Sequence, residues 1–471
     1  MAKNLRTFLA DVSDKLPGSI YEVERAVDPK FELTAFVAKF AARGEFPGIV
    51  FRKVTGSAMP CAINLLGSYD RVALAFGCEP TALGEFFCTR LARSVEPRIV
   101  SRESAPVKDV VLRDAEVDLR RLPLPWHNEL DGGAFITGGT MITRDRETGA
   151  YNAGIYRHQL FGERELGVVF NKTHDGGYIY QQYEEHDESV PVAIAIGHHP
   201  AYLMAAVARL PGVGGEYEAA GSLLDEPLDL VRCETNDLLV PAEAEIIIEG
   251  AMVPRERHAE GPFGEWPGHY LGDEDSYVLR VSAVTHRRDA IFQSIMPSAR
   301  EHVLMGAVPR IGSIFRAVKA VVPSVRSVNC PAHSRMHCYI SLTRRRNVDV
   351  KRAAFAALNT EPDNLRGVIV VDDDINIFED GDLMWAVGTR FDAERDLTIV
   401  KDWSGPGGVL PQNWAYNRDG SRVPRTSSVF IMDATKPAPP IPYPPRSAVP
   451  ADLVRAVDLR DASPLRAHSC A

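Results

Sequence analysis

Glu260 and Glu265 enclose the turn Gly261-Pro262-Phe263-Gly264. Two carboxylates this close across a tight apolar turn can be brought together. Like charge and partial burial then raise the pKa of one of them. A carboxyl group shifted in that way serves as a general acid near neutral pH. Two ordinary glutamates on a solvated loop would show the same spacing, so the segment alone leaves both readings open. Its company favours chemistry. Asn152-Ala153-Gly154-Ile155-Tyr156-Arg157 offers an amide, a glycine and an arginine in one short stretch. His174 closes Asn171-Lys172-Thr173-His174, and Glu216 opens Glu216-Tyr217-Glu218-Ala219-Ala220-Gly221. Asn152, His174 and Glu216 together suit an octahedral Mg2+ or Mn2+, with a phosphate oxygen as a further ligand.

The elements that must carry these residues are legible in outline. Residues 1–110 read as mixed α/β. Leu33, Phe36, Val37 and Phe40 recur at helical spacing over 31–42, with Gly44 as the stop. Ile49-Val50-Phe51 reads as a strand and 80–92 as a helix. Residues 111–325 carry short apolar runs broken by Gly and Pro, the texture of an antiparallel sheet or barrel core. These runs include 135–137, 168–170, 192–196, 244–249 and 277–281, with 201–210 as a helical interruption. Residues 326–436 alternate strand, helix and strand (338–342, 348–358, 367–371), a βαβ unit. Asp372-Asp373-Asp374 at the strand end caps a turn or holds a cation. The Pro-rich segment 437–471 predicts an extended arm.

Composition sets limits. The chain has 471 residues and a net charge of −10, which argues against generic nucleic-acid binding. No apolar run approaches the ~18 residues of a membrane span, and the N-terminus lacks the apolar stretch of a signal peptide. Seven scattered cysteines without a CxxC pattern fit a reducing cytoplasm and oppose a zinc-thiolate site. GxxxxGK[ST], GxSxG and HExxH are absent. The glycine-rich stretch 211–216 lacks the third glycine of a dinucleotide loop.

In order and spacing, these segments resemble the UbiD family of reversible decarboxylases, over about residues 5 to 436. The N-x-x-x-x-R segment falls on Asn152 and Arg157, the family's metal-ligating His on His174, its metal-ligating Glu on Glu216, and its E-G-x-x-G-E/D loop on Glu260 to Glu265. The resemblance implies an α+β fold: a central split-barrel-like flavin-binding domain between N- and C-terminal α/β domains. It implies prenylated FMN, which adds covalently to the carbon bearing the carboxylate, with Mn2+ or Mg2+ and K+. Asn152, Gly154, Ile155, Tyr156, Arg157, Thr173, His174 and Glu216 would contact the cofactor. Asn152, His174 and Glu216 would ligate the divalent ion, and the backbone near Val207 to Leu210 the potassium. Glu265 would be the proton donor, Glu260 the partner of Arg157, and Arg157 the guide for an anionic substrate. The resemblance further implies an aromatic acid and CO2 as reactants, a flavin prenyltransferase as cofactor source, and a homo-oligomer, dimer or hexamer. The chain departs from the family where a phosphate-binding lysine is usual. Val429 stands there, with Arg425, Ser427 or Ser428 as substitutes.

Trp266 follows Glu265 and is a candidate pocket wall, with Phe170, Thr173, Arg300, His302 and Trp414 as further lining. Arg300-Glu301-His302 would recognise a second polar or anionic group, or stand as a surface charge cluster. Three other activities compete: a carboxylase or a decarboxylase of an unsaturated acid or aromatic acyl thioester on the same scaffold, a non-catalytic flavin carrier, and a flavin-free metal-dependent hydrolase.

Overall fold

The computed structural model describes residues 2–170, 174–210, 214–272, 274–404, 410–438 and 440–458. The first segment is mixed α/β, as its periodicity implies. Helix Glu32–Ala41 buries Leu33 and Val37. Strand Gly48–Val54 contains the apolar triplet at 49–51. Residues 80–92 divide into a short 3-10 turn, Pro80–Ala82, and helix Leu83–Arg90. Strands Ile20–Val27, Gly48–Val54, Cys61–Ile63 and Phe292–Ser294 form one sheet in that order. The last strand comes from far down the chain, so this sheet is completed by residues that follow the central region.

Nine antiparallel strands form the central sheet. Its order is Phe135–Ile136, His158–Gly162, Glu165–Val168, Glu274–His286, Ile246–Glu260, Val190–Ile196, Gly139–Arg144 and Tyr151–Ile155, with Val110–Arg113 paired beside Glu274–His286. Residues 192–196 are apolar throughout because both faces are covered. Val192, Ile194 and Ile196 enter one core while Ala193 and Ala195 enter another. Among the described residues no ladder closes this sheet into a barrel. Strands Tyr151–Ile155 and His158–Gly162 nevertheless lie near opposite ends of the order, joined only by Tyr156 and Arg157. A two-residue link spans a few ångströms, so the sheet must curl until those strands approach. Arg157 sits in that seam.

The C-terminal sheet orders Val325–Asn329, His337–Leu342, Gly367–Asp372, Ser427–Ala434 and Leu397–Ser404. Its parallel pairing across helix Asp349–Thr360 is the expected βαβ unit. A protein cation answers the acids at the strand end: Arg390 donates to Asp372 at 2.8 Å and to Asp374 at 2.8 Å. The Pro-rich segment meets helix Asp380–Arg390 through Tyr443, which donates to Thr389 O at 3.2 Å, and Arg446, 4.0 Å from the Trp385 ring centroid. Ala451–Ala456 is helical where an extended arm is expected, and 459–471 lie outside the described residues.

Helix Arg300–Val321 ties the regions together. Arg300, Glu301 and His302 do not form one cluster, because helical geometry sends the three side chains different ways. Glu301 is fully buried and accepts the Leu66 N–H at 3.0 Å. Arg300 lies over Phe46, 4.5 Å from its centroid. Burial pushes the Glu301 carboxyl up to about 7. A carboxyl raised on folding gives stability that is complete below about pH 4.5 and is lost as pH rises towards 7. Glu301→Gln keeps an acceptor for Leu66 and never ionises. Its thermal midpoint should fall less than the wild type's between pH 5 and pH 8, as calorimetry at both pH values would register.

Candidate active site

Strand Ile246–Glu260 delivers Glu260 at its last residue, and the seam delivers Arg157. Arg157 Nε and Nη2 both donate to Glu260 Oε2, at 2.9 and 2.6 Å, and Nη1 donates to Glu265 Oε1. The Glu260 side chain is 1% exposed and that of Glu265 is 15% exposed, so only Glu265 keeps an open side. Arg157 Cζ also lies 5.1 Å from the Phe263 ring centroid. The two carboxylates therefore do not face each other, as the spacing alone suggested. The guanidinium stands between them and cancels their repulsion.

The turn is held by a loop that sequence reading missed. Asp131 Oδ1 accepts the Gly264 N–H at 2.9 Å, Gln159 Oε1 accepts the Gly261 N–H at 2.9 Å, and Pro262 O accepts the Gly132 N–H at 2.6 Å. Gly132 and Gly261 are in such close backbone contact that a Cβ on Gly261 would lie 2.4 Å from Gly132 Cα. This explains the glycine: the backbones need the space. Gly261→Ala should cost about 1–3 kcal/mol of stability through overpacking, read as a lower urea midpoint, and should displace Glu265 enough to lower kcat.

A second cluster lies on the other side of the seam. Asn152 lies within strand Tyr151–Ile155 and Arg157 beyond its end, and the two meet different partners. Asn152 Nδ2 reaches Glu216 Oε1 at 3.4 Å. Asn152 Oδ1 and Glu216 Oε2 are buried with no hydrogen-bond donor among the described residues. Burial pushes the Glu216 carboxyl up to about 7. His174 begins helix Asp175–Glu185, and burial lowers its imidazole pKa. Tyr156 fills the space between two glycines, since a Cβ on Gly154 would lie 2.7 Å from its ring and one on Gly176 2.8 Å from its hydroxyl. Two unsatisfied oxygens and a neutral imidazole are the donor types a divalent ion takes. Among the described residues, no group of three or more His, Cys, Asp or Glu gathers into a metal cage. Thr173 and the first half of the glycine-rich stretch, 211–213, lie outside the described residues.

Of the expected pocket lining, Trp266 and His302 lie beside Glu265. Arg335 Cζ sits 3.9 Å from the Trp266 ring centroid, and His302 feels the charge of both Glu265 and Arg335. Burial and the Arg335 charge hold His302 down to about 4, so it is neutral. Phe170 instead stacks on Tyr277, with centroids 4.5 Å apart, in an aromatic core. Trp414 stands on the hairpin Trp414–Tyr416 and Arg422–Pro424, with Arg422 Cζ 4.5 Å from its ring centroid. Of the substitutes for the absent lysine, Arg425 donates to Gln412 O at 2.9 Å and Ser427 to Asn413 Oδ1 at 2.9 Å. Sequence reading also missed Arg335. No spacing links it to Glu265, and only the packing of helix Arg300–Val321 brings it there.

Residues 16–91, 98–300 and 302–406 match in turn the N-terminal, Rift-related and C-terminal domains of UbiD, 3-octaprenyl-4-hydroxybenzoate carboxy-lyase. The chain is 31% identical to a phenolic acid decarboxylase of Sedimentibacter hydroxybenzoicus, covering 94% of this chain and 93% of that one. It is also 31% identical to an anhydromevalonate phosphate decarboxylase of Methanothermobacter thermautotrophicus, covering 84% and 90% respectively. Among solved structures, an evolved dimeric form of the UbiD-class enzyme HmfF from Pelotomaculum thermopropionicum, in complex with prFMN, superposes with a TM-score of 0.87 at 33% identity. That match covers 98% of this chain and all of the other.

Proposed function

This chain belongs to the UbiD family and is a carboxy-lyase, and from that premise we propose that it decarboxylates an aromatic or heteroaromatic acid, reversibly and without oxidation, with prenylated FMN. The observation that carries the reading is Arg157 clamped between a fully buried Glu260 and a partly open Glu265. When bound, prenylated FMN supplies the electron sink for the carbon that loses CO2. Asn152, His174 and Glu216 would hold Mn2+ or Mg2+ for the flavin phosphate, and the unsatisfied oxygens of Asn152 and Glu216 support that role. Backbone near Val207 to Leu210 would hold K+.

Glu260 fixes the arginine through two hydrogen bonds to one oxygen. Glu265 holds the proton that the reacting carbon receives. A protonated Glu265 also loosens its ionic grip on Arg157 Nη1, which lets the arginine turn its charge to the substrate carboxylate. Trp266 is the flat wall beside the acid. Supply of the cofactor by a flavin prenyltransferase, homo-oligomeric assembly and a cytoplasmic location belong to the same proposal. Among the described residues no helix is long and apolar enough to cross a membrane.

A carrier would need only the Asn152 cluster, so the assembled Arg157–Glu260–Glu265 set weighs against that role. The family membership replaces the hydrolase reading. The relative that decarboxylates anhydromevalonate phosphate favours one second reading, an α,β-unsaturated acid as substrate.

The test is co-expression with a flavin prenyltransferase, then a visible spectrum and CO2 release from a panel of aromatic, heteroaromatic and unsaturated acids. A flavin-coloured protein that releases CO2 from aromatic acids in deuterated buffer, with one deuterium left on the ring, is the expected result. Full activity in a colourless protein would overturn the reading.

A further inference from the structure

Glu265 stands at the start of the turn in a short hairpin, Phe263–Gly264 paired with Tyr270–Leu271. The base of that hairpin is tied to one side only. Asp131, Gly132 and Gln159 bond Gly264, Pro262 and Gly261 respectively, and Tyr270 Oη accepts the Leu130 N–H at 3.3 Å. The tip is held differently. Glu265 N–H donates to His269 O and Gly268 N–H donates to Glu265 O, both at 2.9 Å within the turn. Beyond that turn, one group among the described residues bonds the Glu265 backbone: Ser298 Oγ donates to Glu265 O at 2.5 Å.

Ser298 lies in the link between strand Phe292–Ser294 and helix Arg300–Val321. The link is anchored at its start, where the Ile295 N–H donates to Thr137 Oγ1 at 3.2 Å. Ser298 has a φ of 63°, in the left-handed region that residues other than glycine seldom occupy. It is exposed, so burial of its side chain does not reward that conformation. Its hydroxyl does not cap the helix either, because the N-cap is Ala299 and no side chain bonds the first turn from there. Strained backbone persists where the surrounding structure imposes it, and it gathers at functional sites. Here the strain directs a hydroxyl at the residue whose placement the chemistry needs.

We infer that Ser298 is a positioning residue for proton transfer: its hydroxyl fixes the Glu265 backbone, and with it the carboxyl group, against the start of helix Arg300–Val321. This assignment rests on the decarboxylase reading above, in which Glu265 is the proton donor. An acid held only from the base of its hairpin can swing about the turn, and a misplacement of about 1 Å can cost on the order of 100-fold in rate.

The test compares Ser298→Gly and Ser298→Asn with the wild-type holoenzyme. Glycine accepts the left-handed backbone and lacks the hydroxyl, so it separates the hydrogen bond from the strain. The thermal midpoint of Ser298→Gly should stay near the wild type's, because relief of strain and added freedom of the unfolded chain oppose each other. Its kcat should fall ~10-fold with KM little changed. The solvent deuterium isotope effect on kcat should rise, since the proton step then limits turnover, and a purely structural role would leave it alone. Hydrogen–deuterium exchange over residues 263–271 should quicken in the same variant, a readout that needs no activity. Asparagine tolerates left-handed backbone and offers an amide N–H, so Ser298→Asn should recover part of both signals. Wild-type kcat, isotope effect and exchange in Ser298→Gly overturn the assignment. A lowered kcat with an unchanged isotope effect also overturns it. Faster exchange with no CO2 released from any acid upholds the tether and overturns the decarboxylase reading. CO2 release that is indifferent to Ser298 does the reverse.

Discussion

Glu265→Gln is expected to lower kcat about 10³-fold, within the 10²–10⁴ range for losing a positioned general acid, while the holoenzyme keeps its flavin absorbance. Glutamine has the same size and keeps one oxygen for Arg157 Nη1, which Glu265 Oε1 accepts, while its amide nitrogen gives up the weaker bond from the Trp266 N–H to Oε2 at 3.2 Å. What it lacks is a proton acidic enough to give to the reacting carbon. The Asn152–Glu216 cluster is built from other elements, so cofactor retention should not change. The measurement is single-turnover CO2 release beside the visible spectrum. Wild-type activity in this variant would remove Glu265 from the donor role and move attention to other groups near the reacting carbon.

Removing the arginine should be costly in two separable ways. Arg157→Ala removes the guanidinium that donates two hydrogen bonds to the Glu260 carboxylate, whose side chain is 1% exposed. Breaking a buried pair from one side costs about 3–5 kcal/mol, and kcat/KM should also fall on the order of 10³-fold because the substrate carboxylate loses its guide. Adding Glu260→Gln removes the carboxylate that the guanidinium answered. The double variant should then regain most of the stability, seen as a recovered urea midpoint, and none of the activity. Recovered activity in the double variant would show that Arg157 serves the fold alone. A double variant no more stable than Arg157→Ala would show that the pair contributes no net charge coupling.

The Glu265 and Arg157 positions were legible before any fold was known, and so was the strand-rich central region. The reason is local. The alternation of apolar residues, the Gly-Pro-Phe-Gly turn and the Asn-to-Arg spacing each lie within a few consecutive residues, and short-range backbone geometry acts on them directly. Val192 to Ile196 announces a strand covered on both faces because every residue is apolar. Arg300, Glu301 and His302 part company for the complementary reason. Three adjacent charged or polar residues suggest one function, yet on a helix adjacent residues diverge by about a quarter turn or more. Glu301 was drawn into the N-terminal core, and Arg300 onto Phe46. Phe170, a candidate pocket wall, stacks on Tyr277 and meets the Tyr156 ring edge-on.

By itself the sequence determined which residues could do acid–base and metal chemistry, the order of the elements that carry them, and membership of a recognisable family. Tertiary structure alone decided how they meet. It set Arg157 in a seam between strands near opposite ends of the central sheet, and so between the two glutamates instead of beside them. It clamped the turn with Asp131 and Gln159. It brought Arg335 into a glycine slot against Trp266. These contacts join residues tens to more than a hundred positions apart, and no short-range pattern encodes them, because they exist only once sheet curvature and helix packing have closed the distance.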